Sequence, residues 1–361
     1  MAADAPAAAL GDVRVPVLRR LLAAGVLHPR EVVDAGVRTT VADRSNRVDV
    51  VAVGGVPVLA VKAGRPGVEQ WEQGDPGHER ALLRSLAGAP VPALPDVVAV
   101  LPDLLVTRFV GDGSAVSDRV RDGRFGRQEA AALVGAALGQ VLASDLLAGR
   151  SALAPPGSAV PWGLRLLLER PPRFVAEHPP AAALHDELSA DQRLAASLKT
   201  VASGWLPSTL VHGDVRWDNC LIDDERRRAV LIDWESAGLG DPAWDLGCAA
   251  AEHLAWGPLG PAAAVTSGDP GQLAGTALDA VEAELTVLAT AYVGAGGPPA
   301  RAALPRAAGY AAARLLYIAF QWTYWDQEAG SARARWLAAV AAVLLDGGRP
   351  VASRLAEAMR C

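Results

Sequence analysis

Two carboxylates and an amide are spaced for chemistry in one stretch of this chain, Leu210 to Gly247, which reads LVHGDVRWDNCLIDDERRRAVLIDWESAGLGDPAWDLG. Elsewhere Ala, Val, Leu, Gly, Pro and Arg dominate, so a segment this rich in Asp, Asn, His and Trp is a departure. A short apolar piece, Thr209-Leu210-Val211, runs into His212-Gly213-Asp214. Asp218-Asn219 leads into Cys220-Leu221-Ile222, and Asp223-Asp224-Glu225 makes a polar turn. Ala229 to Ile232 is a second buried strand that ends at Asp233. The pattern predicts a hairpin presenting Asp214, Asn219 and Asp233 near one end. Two carboxylates and one amide oxygen suit a hard, oxygen-seeking cation such as Mg2+ and suit zinc or copper poorly.

His-Gly-Asp, four residues, then Asn, and an Asp fourteen residues further on at a strand end resembles the catalytic core of aminoglycoside phosphotransferases and choline kinases. These enzymes are the small-molecule branch of the protein-kinase-like fold, and the spacing is also that of the kinase loop H-R-D-x-x-x-x-N followed by DFG. Gly240-Asp241-Pro242-Ala243-Trp244-Asp245-Leu246 adds a further element of that pattern. The resemblance covers approximately Val41 to Trp256. It implies that Asp214 accepts or orients the proton of an acceptor hydroxyl, and that Asn219 and Asp233 hold Mg2+. His212 would be structural, its ring bonded within the loop, with Asp245 as a candidate partner. Glu235 reads equally as a second acidic metal ligand or as a solvated glutamate, and Trp217, Trp234 and Trp244 as loop packing or as the lining of an acceptor pocket.

These residues need elements to carry them. Val50 to Val53 and Val56 to Val61 flank Gly54-Gly55, a strong hairpin signal. By the resemblance, Arg44-Ser45-Asn46 is the loop over the nucleotide, with Ser45 and Asn46 contacting phosphate. That loop has no glycine of its own, so hydroxyl and amide side chains would stand in for close backbone approach. The second strand ends at Lys62, similar to the V-A-I-K of kinases. A compact ammonium there neutralises the α- and β-phosphates of ATP better than a forked guanidinium. The chain uses only two lysines among 34 basic residues, which makes Lys62 informative, whereas Lys199 reads as surface. Asp75-Pro76 opens the next helix as N-cap and first-turn proline. Glu79, Leu82, Leu83 and Leu86 share one face of it. A carboxylate on an apolar stripe wants a cation, and Lys62 is the candidate, with Glu69 or Glu72 as substitutes for Glu79. Val97 to Leu101 and Leu104 to Val110 are the last two strands of this part. Thr107 to Gly111, including Phe109 and Val110, would be the hinge that reads the adenine edge; Phe109 borders the base or fills the core.

The expected fold class is α+β: a bilobal protein-kinase-like fold with a β-rich N-lobe over residues 1–112 and a mainly helical C-lobe over residues 113–361. Helices are expected over Gln128–Leu147, Ala181–Trp205, Leu246–Ala255, Gln272–Tyr292, Ala302–Trp325 and Ala332–Leu345. Ser151 to Pro180, rich in Pro and Arg, reads as an irregular substrate-side or partner-facing loop. With 361 residues and 51% hydrophobic content the chain can bury a core for two lobes. A net charge of −6 argues against binding nucleic acid through its phosphates. Cys220, Cys248 and Cys361 form no CxxC pair, so neither a zinc site nor a disulfide framework is expected. No basic leader and no long apolar run is seen, so the expected compartment is the cytoplasm, without a membrane.

The resemblance implies an ATP- and Mg2+-dependent kinase acting on a small-molecule hydroxyl, in antibiotic resistance or natural-product biosynthesis. Asp326 and Glu328 are candidates to meet a cationic acceptor. A second reading within the resemblance is a kinase of class V lanthipeptide or thioamitide pathways. It would phosphorylate Ser or Thr of a precursor peptide before a partner lyase eliminates the phosphate. A third is a nucleotide-binding scaffold, against which stands the complete set of Lys62, Asp214, Asn219 and Asp233.

Overall fold

The computed structural model describes residues 15–43, 47–63, 76–146, 160–257, 270–325, 329–346 and 357. The chain divides into two compact units, one of Met1–Pro90, Pro95–Gly113 and Asp233–Ser236, the other of Val91–Leu94, Ser114–Ile232 and Ala237–Cys361. This differs from a single cut at 112/113 by two short excursions, Val91–Leu94 and Asp233–Ser236.

The first unit holds α1 (Val15–Ala23), a single π-helical turn (Glu31–Ala35), β1 (Val37–Asp43), β2 (Arg47–Val53), β3 (Val56–Ala63), α2 (Pro76–Leu86), β4 (Val97–Val100) and β5 (Leu104–Arg108). The five strands form one antiparallel sheet in the order β1-β2-β3-β5-β4. Gly54 and Gly55 make the β2–β3 turn with φ of 60° and 85°, the left-handed backbone that a two-residue hairpin turn demands. Strand periodicity then decides where Lys62 points. Leu59 and Val61 enter a core with Val51, Leu104 and Val106, which Leu18 and Leu21 of α1 and Leu27 cover. Lys62 has the opposite parity and so lies on the other face of the sheet. On α2, Glu79, Leu82, Leu83 and Leu86 are all buried, as their spacing predicts. The expected N-cap of this helix, Asp75, lies outside the described residues.

The second unit carries α3 (Val116–Arg121), α4 (Arg127–Ala143), α5 (Trp162–Arg165), α6 (Arg173–Glu177), α7 (Pro179–Ala190), α8 (Gln192–Ser203), β6 (Thr209–Val211), β7 (Cys220–Asp223), β8 (Arg228–Leu231), β9 (Gly238–Gly240), α9 (Pro242–Ala255), α10 (Pro270–Trp325) and α11 (Ala329–Leu345). The expected hairpin is β7–β8, whereas β6 pairs with β9. The single helix expected over Ala181–Trp205 is two helices. Asp191 interrupts it and accepts the Arg193 and Leu194 N–H groups at 2.9 and 3.1 Å, an N-cap for α8. The loop expected over Ser151–Pro180 is corrected from Val160 onward. There α5 and α6 form, and Trp162, Leu164, Leu166 and Val175 are buried, because apolar side chains in this Pro-rich stretch have a helical surface to cover. The helices expected at Gln272–Tyr292 and Ala302–Trp325 both form within the run labelled α10, which the non-helical Gly297 (φ 64°, ψ −150°), followed by Pro298 and Pro299, divides in two. Among the described residues, no helix is long and apolar enough to cross a membrane.

Helix α10 packs against α4, α9 and α11, and glycines on its neighbours set how closely. A Cβ on Gly135 of α4 would stand 2.3 Å from the Leu288 carbonyl oxygen, and one on Gly139 would stand 2.4 Å from that of Tyr292. Both obstacles are backbone, which cannot rotate away. Alanine gains about 1 kcal/mol of helix propensity over glycine, but overpacking a close contact costs about 1–3 kcal/mol. We therefore expect Gly135→Ala to lower stability in urea denaturation. Gly294→Ala, on the exposed side of α10 with nothing within 4 Å of its new Cβ, should be neutral or stabilising by up to about 1 kcal/mol.

Candidate functional site

In the first unit, Lys62 gathers three carboxylates. Its Nζ lies 2.6 Å from Glu79 Oε2 and 3.8 Å from Glu235 Oε2, and it donates a hydrogen bond to Asp233. Glu79 does two jobs, because its Oε1 accepts the Trp234 N–H at 2.9 Å. Only 13% of the Lys62 side chain is exposed. Burial alone would lower its pKa, but Glu79 and Asp233 outweigh burial and raise it, so the ammonium is charged throughout the physiological range. Asp233 stands in left-handed backbone (φ 67°), a conformation that Asp tolerates better than most residues. Glu235 is partly exposed and faces Lys62.

The hinge residues sit in and just after β5. Thr107 pairs with Ala60 and Val97, while Phe109 and Val110 follow the strand, which ends at Arg108. The Phe109 N–H donates to Val58 O at 3.0 Å, and the Val110 carbonyl accepts the Gly113 N–H at 2.9 Å. These two groups bond inside the unit. Ser45 and Asn46 lie outside the described residues, as do Glu69, Glu72, Asp326 and Glu328.

In the second unit the His-Gly-Asp loop is built from its backbone. Both oxygens of Asp245 receive N–H donors, His212 at 2.7 Å and Gly213 at 3.0 Å. The expectation of a bond from the His212 ring to Asp245 is thus corrected, since the main chain makes the contact. The ring instead bridges the loop: Nε2 donates to Ile232 O at 2.8 Å, and Nδ1 accepts the Asp214 N–H at 3.3 Å. A carbonyl on one side and an N–H on the other select the Nε2–H tautomer. The Trp244 indole N–H closes the loop onto Gly213 O at 3.0 Å. Trp217, Trp234 and Trp244 are all buried, which makes them packing residues.

Asp214 itself is only partly buried. Its Oδ1 accepts Arg314 Nη2 at 2.8 Å, its Oδ2 lies 3.3 Å from Asn219 Nδ2 and 3.7 Å from Arg216 Nε, and the same Asn219 amino group donates to the Asp214 carbonyl at 3.0 Å. Desolvation works against the charge, yet Arg314, Arg216 and His212 overcome it and hold the carboxyl down at about 2. Arg216 and Arg314 escaped the sequence reading. Arg314 has a signal in retrospect: Ala311-Ala312-Ala313-Arg314-Leu315-Leu316 sets one charge inside an apolar run, and a buried charge requires a partner.

Glu252 of α9 completes this half. It is buried and accepts the Trp217 N–H at 3.3 Å. Burial pushes its carboxyl up from 4.5 to about 7, with Arg314, the Trp217 N–H and Arg216 limiting the rise. Between pH 4.5 and 7 the unfolded chain releases this proton while the folded chain retains it, so stability falls as pH rises through that window. At about 1.4 kcal/mol per unit the loss is about 3 kcal/mol. Glu252→Gln keeps an acceptor for Trp217 and removes the titration. Urea denaturation at pH 5 and pH 8 should therefore show a smaller stability drop in the variant, by up to about 3 kcal/mol.

A sequence profile of the phosphotransferase enzyme family (APH) matches residues 38–275. No curated protein sequence matches the chain. Among solved structures it is similar to a choline/ethanolamine kinase family protein from Mesorhizobium loti (17% identity, 95% of this chain and 99% of that one, TM-score 0.51). It is also similar to a Plasmodium vivax ethanolamine kinase (13% identity, 92% and 88%, TM-score 0.54) and to a choline kinase from Cryptosporidium parvum (11% identity, 90% and 94%, TM-score 0.54). At such identities the likeness concerns the fold, which is the α+β kinase-like one. The profile spans well over half of the sequence, and the chain belongs to the phosphotransferase enzyme family.

Proposed function

We propose that this protein transfers the γ-phosphoryl group of ATP to a hydroxyl of a small molecule. The observation that carries the reading is the Lys62 ammonium held by Glu79 and Asp233, a preset positive charge for phosphate oxygens in a chain with only one other lysine. Phosphoryl transfer asks little covalent work of a protein; positioning and charge neutralisation supply the catalysis. In this reading the acceptor oxygen attacks the γ-phosphorus, the bond from that phosphorus to the bridging oxygen breaks, ADP leaves, and the hydroxyl proton passes to an Asp214 oxygen. A carboxylate with a pKa near 2 is a weak base. Its part is to orient the hydroxyl and take the proton late, which a loose transition state permits.

The residues fit a magnesium ion by their donor chemistry. The Asn219 amino group is spent on Asp214, so its remaining ligating atom is the amide oxygen, and Asp233 Oδ1 accepts a hydrogen bond from Lys62. Both are hard oxygen donors, and Mg2+ is commonly held by one or two such side chains together with substrate phosphates. When bound, the ion would neutralise charge on the transferring phosphate. Among the described residues, no group of three His, Cys, Asp or Glu forms a separate metal cluster.

The acceptor is a compound with a free hydroxyl and of modest size. The Pro/Arg-rich stretch that would suit a docking peptide is, from Val160 onward, helical and partly buried, so nothing among its described residues favours the peptide reading. Mass spectrometry of ATP/Mg2+ reactions should show one added phosphate on a member of a pool of aminoglycosides and small alcohols. The same gain on Ser/Thr-rich precursor peptides alone would replace this proposal with peptide maturation. Asp214→Asn should bind ATP normally and lose transfer by about 10²–10⁴-fold; equal turnover in mutant and wild type would remove Asp214 from the chemistry.

A further inference from the structure

We propose that Arg314 is the positioning residue for Asp214, holding one carboxylate oxygen so that the remaining lone pairs face an acceptor hydroxyl; the inference rests on the phosphotransferase reading above. Asp214 follows Gly213, whose φ is 85°, in a loop between β6 and the turn at Trp217–Asn219, so no helix or strand ladder fixes its side chain. The terminal torsion of an aspartate is broad and easily turned. Beside the 3.7 Å ion pair with Arg216 of the same loop, two hydrogen bonds restrict it: Asn219 Nδ2 near Oδ2 comes from that loop too, whereas Arg314 Nη2 on Oδ1 comes from α10. Only the second ties the carboxylate to an independently anchored helix, one that packs on α4, α9 and α11.

Arg314 is itself immobilised. It is 3% exposed, its guanidinium carbon sits 4.8 Å from the centre of the Tyr317 ring, and α10 keeps its stem in a helical rotamer range. Its Nε is buried without a hydrogen-bond partner, an unmade bond that costs free energy. An apolar side chain in this Ala- and Leu-rich segment would avoid that cost. What a guanidinium supplies in exchange is a directed donor at a fixed place, which fits positioning better than stability. A lysine could keep the charge but would present it as a rotating point charge.

The test combines turnover with a direct view of the carboxylate. ATP turnover in Mg2+ with water as acceptor, measured on the full chain, should show kcat of Arg314→Met reduced about a hundredfold, as expected when a reacting group is misplaced by about an ångström. KM for ATP should stay within about twofold, since the loss concerns the transition state and not nucleotide binding. Arg314→Lys should recover part of kcat, and it decides the matter if the methionine variant does not fold. Crystals of wild type and variant should show the Asp214 carboxylate turned once Oδ1 loses its partner. A kcat within about twofold of wild type, or an unmoved carboxylate in the variant, would overturn the assignment. If wild type neither hydrolyses ATP nor phosphorylates any member of the small-alcohol pool, the phosphotransferase reading fails, and the crystallographic comparison still decides whether Arg314 positions Asp214.

Discussion

The helical unit depends on one buried carboxylate. Asp241 is fully buried and accepts the Ala243 N–H at 3.0 Å, the Leu206 N–H at 3.0 Å, two Arg306 donors at 2.7 and 2.8 Å and the Tyr310 hydroxyl at 2.8 Å. A lone buried charge would be prohibitively costly; with these partners it fixes three segments to one another. It caps α9, ties down the approach to β6 and fastens α10. Capping α9 sets the direction in which Asp245, one turn further on, meets the His-Gly-Asp backbone. The Gly-Asp-Pro-Ala-Trp-Asp string is thus a chain of supports: a cap, a first-turn proline, a buried indole holding Gly213 O, and a carboxylate that organises the loop.

The sequence was most legible where local chemistry and long-range position coincide. The Gly-Gly turn, the Lys62 strand end and the Glu79 stripe each announce themselves within a few residues, and β3 and α2 form with those side chains on the faces that periodicity assigns. The β7–β8 hairpin was readable for the same reason, since a polar turn separates two apolar runs. The β6–β9 pairing was not, because Gly238-Leu239-Gly240 carries no strand signal of its own and exists through its partner. Asp191 was overlooked as a helix break because the residues on both sides are good helix formers, so only its side-chain caps reveal the boundary. Arg314 was hidden by sheer number: in a chain where nearly every basic residue is arginine, its type alone says little, and its burial is a tertiary fact.

The two units treat charge differently. Around Lys62 one cation faces three carboxylates, an arrangement with anionic surplus that a metal or further cation can relieve. Around Asp214 one partly buried carboxylate faces two guanidiniums, and Glu252, which burial keeps protonated up to about pH 7, adds its negative charge only above that. The first balance is sensitive to cations and the second to protons on a neighbouring helix, so ionic conditions act on the two sets of residues by separate routes.

The near-absence of lysine also shapes how this protein can be handled. Lys199 on α8 is exposed, while Lys62 is almost enclosed and held by carboxylates, so the two side-chain amines differ sharply in access and nucleophilicity. Amine-directed dyes, linkers and cross-linkers will therefore place their side-chain label at one known address. A reagent that reaches Lys62 must first displace its acidic partners, which makes modification of that residue a direct reporter of whether a ligand occupies the sheet face it guards.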